Sequence, residues 1–231
     1  MAKKIKYLGH AGFIITTPTD KVFVIDPWVV GCPTCPLKLE DISRANAILV
    51  THDHFDHMGQ AVEIANRTGA VLVAVPETAN RLKGEGFPEA KVIYGFGMNI
   101  GGYADIEGVR VIMTQAFHSS NTGVPCGYIL RLEDGGHIYH AGDTGIFESM
   151  RLLGELYPLE LAMLPMGGCF VMDPFQATKA VKLLRPKQVI PMHYKSFPIL
   201  EQTADTFVKL VKKEAPKSKV VTLEPGQEHS W

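Results

Sequence analysis

Short apolar runs recur along the chain, each closed by glycine, proline or charged residues. Three of them, at 5–8, 13–16 and 22–26, are rich in β-branched and aromatic side chains, and Thr17-Pro18-Thr19-Asp20 supplies a turn before the third. They predict strands. A strand is also predicted at 48–51. At 58–68 the apolar positions recur at helical spacing and predict an amphipathic helix. A strand at 71–75, a helix at 77–83 and a glycine-rich turning segment at 95–102 follow. The second stretch opens with strands at 109–114, 128–132 and 138–140, the last two joined by the hairpin turn Glu133-Asp134-Gly135-Gly136. A helix at 146–156 and a short buried strand at 161–165 come next. Asp173-Pro174 combines a capping aspartate with proline at the first helical position, so a helix starts there and runs to Leu184, before Pro186. The pattern closes with a strand at 189–192, an amphipathic helix at 203–214 ended by Pro216, and a last strand at 220–223.

Strands followed by alternating strand and helix therefore appear twice, in halves of roughly 1–105 and 106–231. This order suits an α+β protein with two mixed β-sheets packed face to face and helices outside. With no linker in view, residues 1–231 read as one domain, and 231 residues suffice for a full core. The formal net charge is −1, which gives no electrostatic footprint for nucleic acid or an anionic membrane. No run is long enough to span a bilayer, and Met1-Ala2-Lys3-Lys4-Ile5 opens a strand without the apolar core of a signal peptide. The expectation is a cytoplasmic protein. Four cysteines fit that compartment. Cys126 starts a strand and reads as a buried apolar residue. Cys32-Pro33-Thr34-Cys35 has three readings: a plain loop, a redox or disulfide pair, or metal capture. It opens no helix and no second pair of this spacing accompanies it, which favours the plain loop.

The chemistry is concentrated in Thr51-His52-Asp53-His54-Phe55-Asp56-His57, directly after the apolar run Ala47-Ile48-Leu49-Val50. Asp56 could serve only as a helix cap and the histidines as a solvated turn. A cation explains the whole cluster better, since neutral imidazoles and carboxylates are good ligands for divalent metals. Residues two apart in an extended segment share a side, so His52 and His54 can reach one metal, while Asp56 and His57 point elsewhere. The spacing points to two adjacent sites. His118, Asp143 and His193 each follow a strand-like run and extend the pattern.

In that order, His52-x-His54-x-Asp56-His57, His118, Asp143 and His193 resemble the ligand set of the metallo-β-lactamase superfamily. Gly9-His10-Ala11, Ile25-Asp26-Pro27-Trp28, Gly142-Asp143-Thr144-Gly145, Pro165-Met166-Gly167-Gly168 and Pro191-Met192-His193-Tyr194 resemble its small metal-dependent hydrolases related to L-ascorbate-6-phosphate lactonase. The resemblance implies a four-layer αββα sandwich. It also implies that His52, His54 and His118 bind one metal, that Asp56, His57 and His193 bind the other, and that Asp143 bridges them. A metal-bridging hydroxide would then cleave a small ester, lactone or phosphoester, and Asp56 would also orient it. Zinc suits the His-rich set best, with manganese, iron or nickel as alternatives. A di-iron redox variant of the fold would carry a carboxylate where this chain has His54. The competing readings are a nuclease or phosphodiesterase and a non-catalytic metal-binding protein. The expected partner is a small molecule, not nucleic acid or membrane, and a homo-oligomer is compatible with the sequence.

Other residues keep open readings. Asp53 alternates with the ligands and should act as a hydrogen-bond partner behind them. Asp26 is either a partner of the ligand loop or a structural acceptor. His10 contacts substrate, supports a ligand, or ends a strand. Lys195 binds an anionic group or lies on the surface, and His137, His140 and His229 carry no assigned role. Segments 27–36, 167–173 and 194–198 are expected to rim the pocket, with Trp28, Phe170, Met172 and Phe197 as apolar walls and Cys169 near the mouth.

Overall fold

A computed structural model describes residues 2–231. Strands β1 (Lys4–Gly9), β2 (Gly12–Thr16), β3 (Val22–Ile25), β4 (Ala47–Leu49) and β5 (Val71–Val73) lie side by side in that order. β6 (Tyr103–Ile106), β7 (Val109–Gln115), β8 (Cys126–Arg131), β9 (His137–His140), β10 (Leu159–Pro165), β11 (Gln188–Met192) and β12 (Lys219–Val220) form a second sheet, again in sequence order. β13 (Glu228–Ser230) returns to the first sheet and pairs antiparallel with β1. Both sheets are mixed: β3–β4–β5 and β9–β10–β11–β12 run parallel, and the remaining pairs are antiparallel.

Alternation along the strands builds the layers. Phe23 and Ile25 face inward with Phe13 and Leu49, and meet Val111, Tyr128, Met163 and Ile190 of the second sheet. Val24 and Ile48 face outward and pack with Ile64 of α2 (Ala61–Thr68) and Leu82 of α3 (Pro76–Gly84). On the far side Ile129, Tyr139 and Leu164 pack with Leu184 of α5 (Pro174–Leu184) and Phe207 of α6 (Asp205–Glu214). Each such side chain stabilises the fold by about 1.5–3 kcal/mol on burial. The result is the four-layer αββα sandwich.

Four expected boundaries differ. The helix expected at 58–68 is a short turn, α1 (Phe55–Met58), followed by α2. Gly59 separates them at φ +46, where a Cβ would lie 2.2 Å from the Pro27 carbonyl oxygen. The helix expected at 146–156 begins only at Met150 (α4, Met150–Leu156). Strand β6 moves the division between the sheets to before Tyr103; its exposed Tyr103 and Asp105 disguise it. The last pairing is not the strand expected at 220–223 but polar β13, recruited by backbone hydrogen bonds to β1. Among the described residues no helix is long and apolar enough to cross a membrane.

The parallel strands carry the chemistry at their carboxyl ends, as open α/β sheets generally do. Cys126 N donates to Thr51 O at 2.9 Å and joins the two sheets at that edge. Cys126 is fully buried, as its sequence context predicts.

Candidate metal centre

The ligand loop is pinned before it reaches the centre. Asp26 ends β3 with φ +46 and is fully buried. Its carboxylate accepts Thr51 N at 2.9 Å and Thr51 Oγ1 at 2.7 Å, and His57 Nδ1 donates to it at 2.7 Å. Asp26 therefore fills both roles left open for it. With Nδ1 turned to Asp26, His57 Nε2 is the nitrogen that faces the centre, the orientation that prepares a histidine for a metal. α1 begins after His54 and no side-chain cap is formed, so Asp56 is not a helix cap.

Three groups of donor atoms lie within 4.8 Å of one another: His52, His54 and His118; His10, Asp56, His57 and His193; and His52, His57 and Asp143. Asp143 follows a turn at Gly142, whose φ of +63 leaves room for no side chain, since a Cβ would sit 2.4 Å from Cys126 O. Its Oδ2 is 2.9 Å from His193 Nε2, 3.2 Å from His57 Nε2 and 3.5 Å from His118 Nε2. One carboxylate oxygen thus touches members of both main groups. The seven residues expected as ligands are brought together.

The donor set fits a cation. His10 Nε2, His57 Nε2 and Asp143 Oδ1 are buried without a well-aligned hydrogen-bond partner. Each such atom costs about 1–3 kcal/mol unless something pairs with it. His52 Nε2 and His54 Nδ1 face each other at 2.9 Å, two ring nitrogens that a proton or a cation must reconcile. Most of the donors are held in the deprotonated forms that bind metal. Burial pushes His52 well below the ordinary histidine range and lowers His118. Burial, reinforced by His193, takes His10 down to about 4. Asp143 is buried, which opposes ionisation, but His193 and His57 outweigh this and hold it well below the usual carboxylate range. Burial likewise opposes Asp56, and the hydrogen bond from His10 overrides it. His57 is the exception: despite burial, Asp143 and Asp26 raise it well above its ordinary value. Its proton stands where a cation would, and metal binding at such sites releases protons.

His10 sits behind Asp56 and does not reach the cavity. It is fully buried, with Nδ1 2.6 Å from Ser196 Oγ and Nε2 3.1 Å from Asp56 Oδ2. Its carbonyl accepts His193 N at 2.6 Å and Tyr7 Oη at 2.9 Å. His10 and His193 both adopt left-handed backbone, at φ +54 and +58. Such residues cost about 1–3 kcal/mol each and persist where the surroundings fix them, as this mutual hydrogen bond does.

The profile of the beta-lactamase superfamily domain matches residues 21–194. The chain belongs to the metallo-β-lactamase superfamily. It is 46% identical over 227 residues to a metal-dependent hydrolase of Nitratidesulfovibrio vulgaris strain DP4, covering 98% of this chain and 95% of that one. It is also 46% identical over 231 residues to one of Thermococcus kodakarensis, covering 97% and 98%. Igni18, a metallo hydrolase of the hyperthermophilic archaeon Ignicoccus hospitalis, superposes with a TM-score of 0.91 at 38% identity, covering 100% and 99%. The chain is accordingly a metal-dependent hydrolase.

Around this superfamily centre several expected residues fall elsewhere. Asp53 does lie behind the ligands: its Oδ1 accepts Ser120 Oγ and Asn121 N, and its Oδ2 accepts Thr122 Oγ1 at 2.6 Å and Arg81 Nη1 at 3.0 Å. It ties the loop after His118 to α3. A cavity of about 800 Å³ opens over the donors and is walled by Phe55, Phe170, Phe197, Pro198 and Ile199. Of the expected walls, Met172 is fully buried, and Trp28 is buried behind Phe55 and Phe197. The 27–36 segment contributes no lining side chain. Lys195 pairs on the surface with Glu224 at 3.2 Å, while the cation that lines the cavity is Arg81. Arg81 escaped the sequence reading because α3 lies far from every ligand motif; its i,i+4 partner Glu85 gives it the look of an ordinary helix-surface charge. Cys32 is buried and Cys35 half-buried, and both are free, so no disulfide joins them. Cys169 is exposed in the 167–173 loop at φ +57.

Proposed function

We propose that the domain, residues 1–231, hydrolyses a small ester, lactone or phosphoester with two divalent cations. His52, His54 and His118 would hold one and Asp56, His57 and His193 the other, with Asp143 between them. The observation that carries this reading is Asp143 Oδ2, placed within 3.5 Å of His57, His118 and His193 at once. Zinc suits so histidine-rich a set, and the two carboxylates also admit manganese, iron or nickel. Such ions supply Lewis acidity and lower the pKa of the water they share.

The chain's own groups do the rest. Asp143 fixes the spacing of the two groups. Asp56, kept ionised, orients the attacking water and can accept its proton at Oδ2, where His10 Nε2 stands 3.1 Å away. His10 is thus a positioning residue: Ser196 Oγ holds its ring from one side and it steadies Asp56 from the other. The single lining cation and the net charge of −1 support a small-molecule substrate over nucleic acid. Elemental analysis of protein purified without chelator and reloaded should approach two equivalents, and a panel of esters, lactones and phosphodiesters should show turnover. A plateau at one equivalent, or oligonucleotide cleavage well above every small substrate, would overturn the proposal.

A further inference from the structure

The cavity wall has its own logic. Phe55, Phe170 and Ile199 are 65%, 54% and 65% exposed, and all three face the same opening beside the donors. Clustered apolar exposure at a cleft marks a place where something apolar binds. Phe55 stands between His54 and Asp56 in the chain, and Phe197 follows His193 by four residues, so the wall grows out of the ligand loops themselves.

Part of the wall is also held in place. Phe55 packs edge-on against Trp28 at 5.6 Å, and Trp28 lies nearly parallel to Phe197 at 5.8 Å. Trp28 in turn meets the ring of His10 edge-on at 5.3 Å, and His10 meets Phe197 at 5.6 Å. Trp28 is 5% exposed and locks two half-open aromatic rings to the centre. Phe55 is therefore an aromatic braced from behind, not a freely mobile surface side chain.

The charge opposite the wall is already committed. Arg81 donates from Nη1 to both the carbonyl and the carboxylate of Asp53, and from Nε to Glu85 at 3.1 Å. Two carboxylates answer one guanidinium, so Arg81 brings no net positive charge of its own to the lining.

Resting on the hydrolase reading above, we propose that the substrate carries an apolar acyl or aryl body. That body lies against Phe55, Phe170, Phe197 and Ile199 while its ester or lactone carbonyl is presented at Asp143 and the surrounding histidines.

The test uses the zinc-reloaded enzyme with p-nitrophenyl acetate, butyrate, hexanoate and octanoate. A fully buried methylene is worth about fourfold in affinity. Partial burial of the four extra methylenes predicts a kcat/KM for hexanoate roughly tenfold or more above that for acetate. Phe170→Ala and Ile199→Ala should each shrink that ratio, chiefly through KM. In calorimetry, hexanoate, a product analogue, should bind the zinc-loaded protein about tenfold more tightly than acetate. Esters turned over with a flat chain-length profile and equal carboxylate affinities would overturn the proposal. So would faster turnover of a phosphorylated sugar lactone than of hexanoate. A dimer in light scattering that Phe170→Asp and Ile199→Asp dissociate would overturn it too, by making the wall an interface between copies. If nothing is hydrolysed but hexanoate still outbinds acetate, the hydrolase reading fails and the apolar site stands.

Discussion

The two donor groups are held in different ways. In the group of His10, Asp56, His57 and His193, three of the four side chains are buried and braced from outside: Asp26 grips His57, Ser196 meets His10, and the backbones of His10 and His193 are hydrogen-bonded. In the group of His52, His54 and His118, only His52 is buried; His54 and His118 line the cavity, as Asp56 and His193 of the first group also do. Those two rings meet each other edge-on at 5.3 Å. The buried group is preorganised, which lowers the cost of binding a cation. The open group faces the substrate, and its loop depends on Asp53 one layer away. Both groups therefore reach the cavity, but one is braced more firmly than the other, with Asp143 as the shared element.

Removing that shared element should have the largest effect. Asp143→Ala leaves His57 and His193 without the carboxylate that both approach, and takes away the oxygen 3.5 Å from His118 Nε2 as well. Both ions should be lost and kcat/KM should fall by about a thousandfold or more, since the ions supply both the nucleophile and the charge stabilisation. Elemental analysis and initial rates measure this. Metal content that stays near two equivalents in the variant would show that the groups do not depend on Asp143.

Loosening the buried side alone should have a smaller and asymmetric effect. Asp26→Asn keeps the shape but weakens the acceptor for His57 Nδ1. Loss of such a partner lowers metal affinity or activity about 10–100-fold. A chelator titration of the wild type should show two phases, with the open group emptying first. In the variant the slow phase should become fast while the other is unchanged. Two phases that shift together would mean the two groups do not act separately.

Much of this comparison was legible in the sequence, because candidate metal ligands at strand ends put polar residues directly after apolar runs. His118, Asp143 and His193 each follow the end of a largely buried strand, which makes them visible in the sequence. Asp26 was visible for the same reason, although the choice between its two roles needed the 2.7 Å contact with His57. What stayed hidden depends on direction. Lys195 follows a ligand by two residues, yet its left-handed backbone, φ +67, accompanies a side chain turned out to Glu224. Met172 was placed in the right loop and on the wrong side of it. β13 could not be read because its polar side chains contribute little; its hydrogen bonds to β1 carry the pairing.

The open side should weaken through stability rather than chemistry when its anchor is cut. Asp53 is buried and receives Ser120, Asn121, Thr122 and Arg81. Asp53→Ala strands four donors, Arg81 among them, and should lower stability by about 2–3 kcal/mol. The loop after His118 should loosen with it, so metal at the open group should exchange faster while the buried group holds. Denaturant unfolding of the metal-free variant, compared with wild type, measures the first effect, and hydrogen exchange at 118–122 the second. A variant that unfolds at the same denaturant concentration would show that the loop has no need of Asp53.

The smallest effect is expected at two residues for which the sequence leaves a functional role open and the structure gives none, Lys195 and Cys32. Lys195 pairs with Glu224, both side chains at least half exposed, and surface pairs of this kind contribute between nothing and about 1 kcal/mol. Cys32 is buried, its sulfur 3.5 Å from Thr34 Oγ1, and it belongs to none of the donor groups. Lys195→Ala and Cys32→Ser should therefore keep two equivalents of metal and change kcat/KM by no more than about twofold, a shift of roughly 0.4 kcal/mol. The comparison with Arg81 sharpens the point. Arg81→Ala removes a cation of the same charge that lines the cavity and anchors Asp53, and should raise KM and loosen the open group where Lys195→Ala does neither. If Lys195→Ala raises KM as much as Arg81→Ala, substrate must reach the Glu224 side of the molecule, and the division between a buried and an open face of the centre would need redrawing.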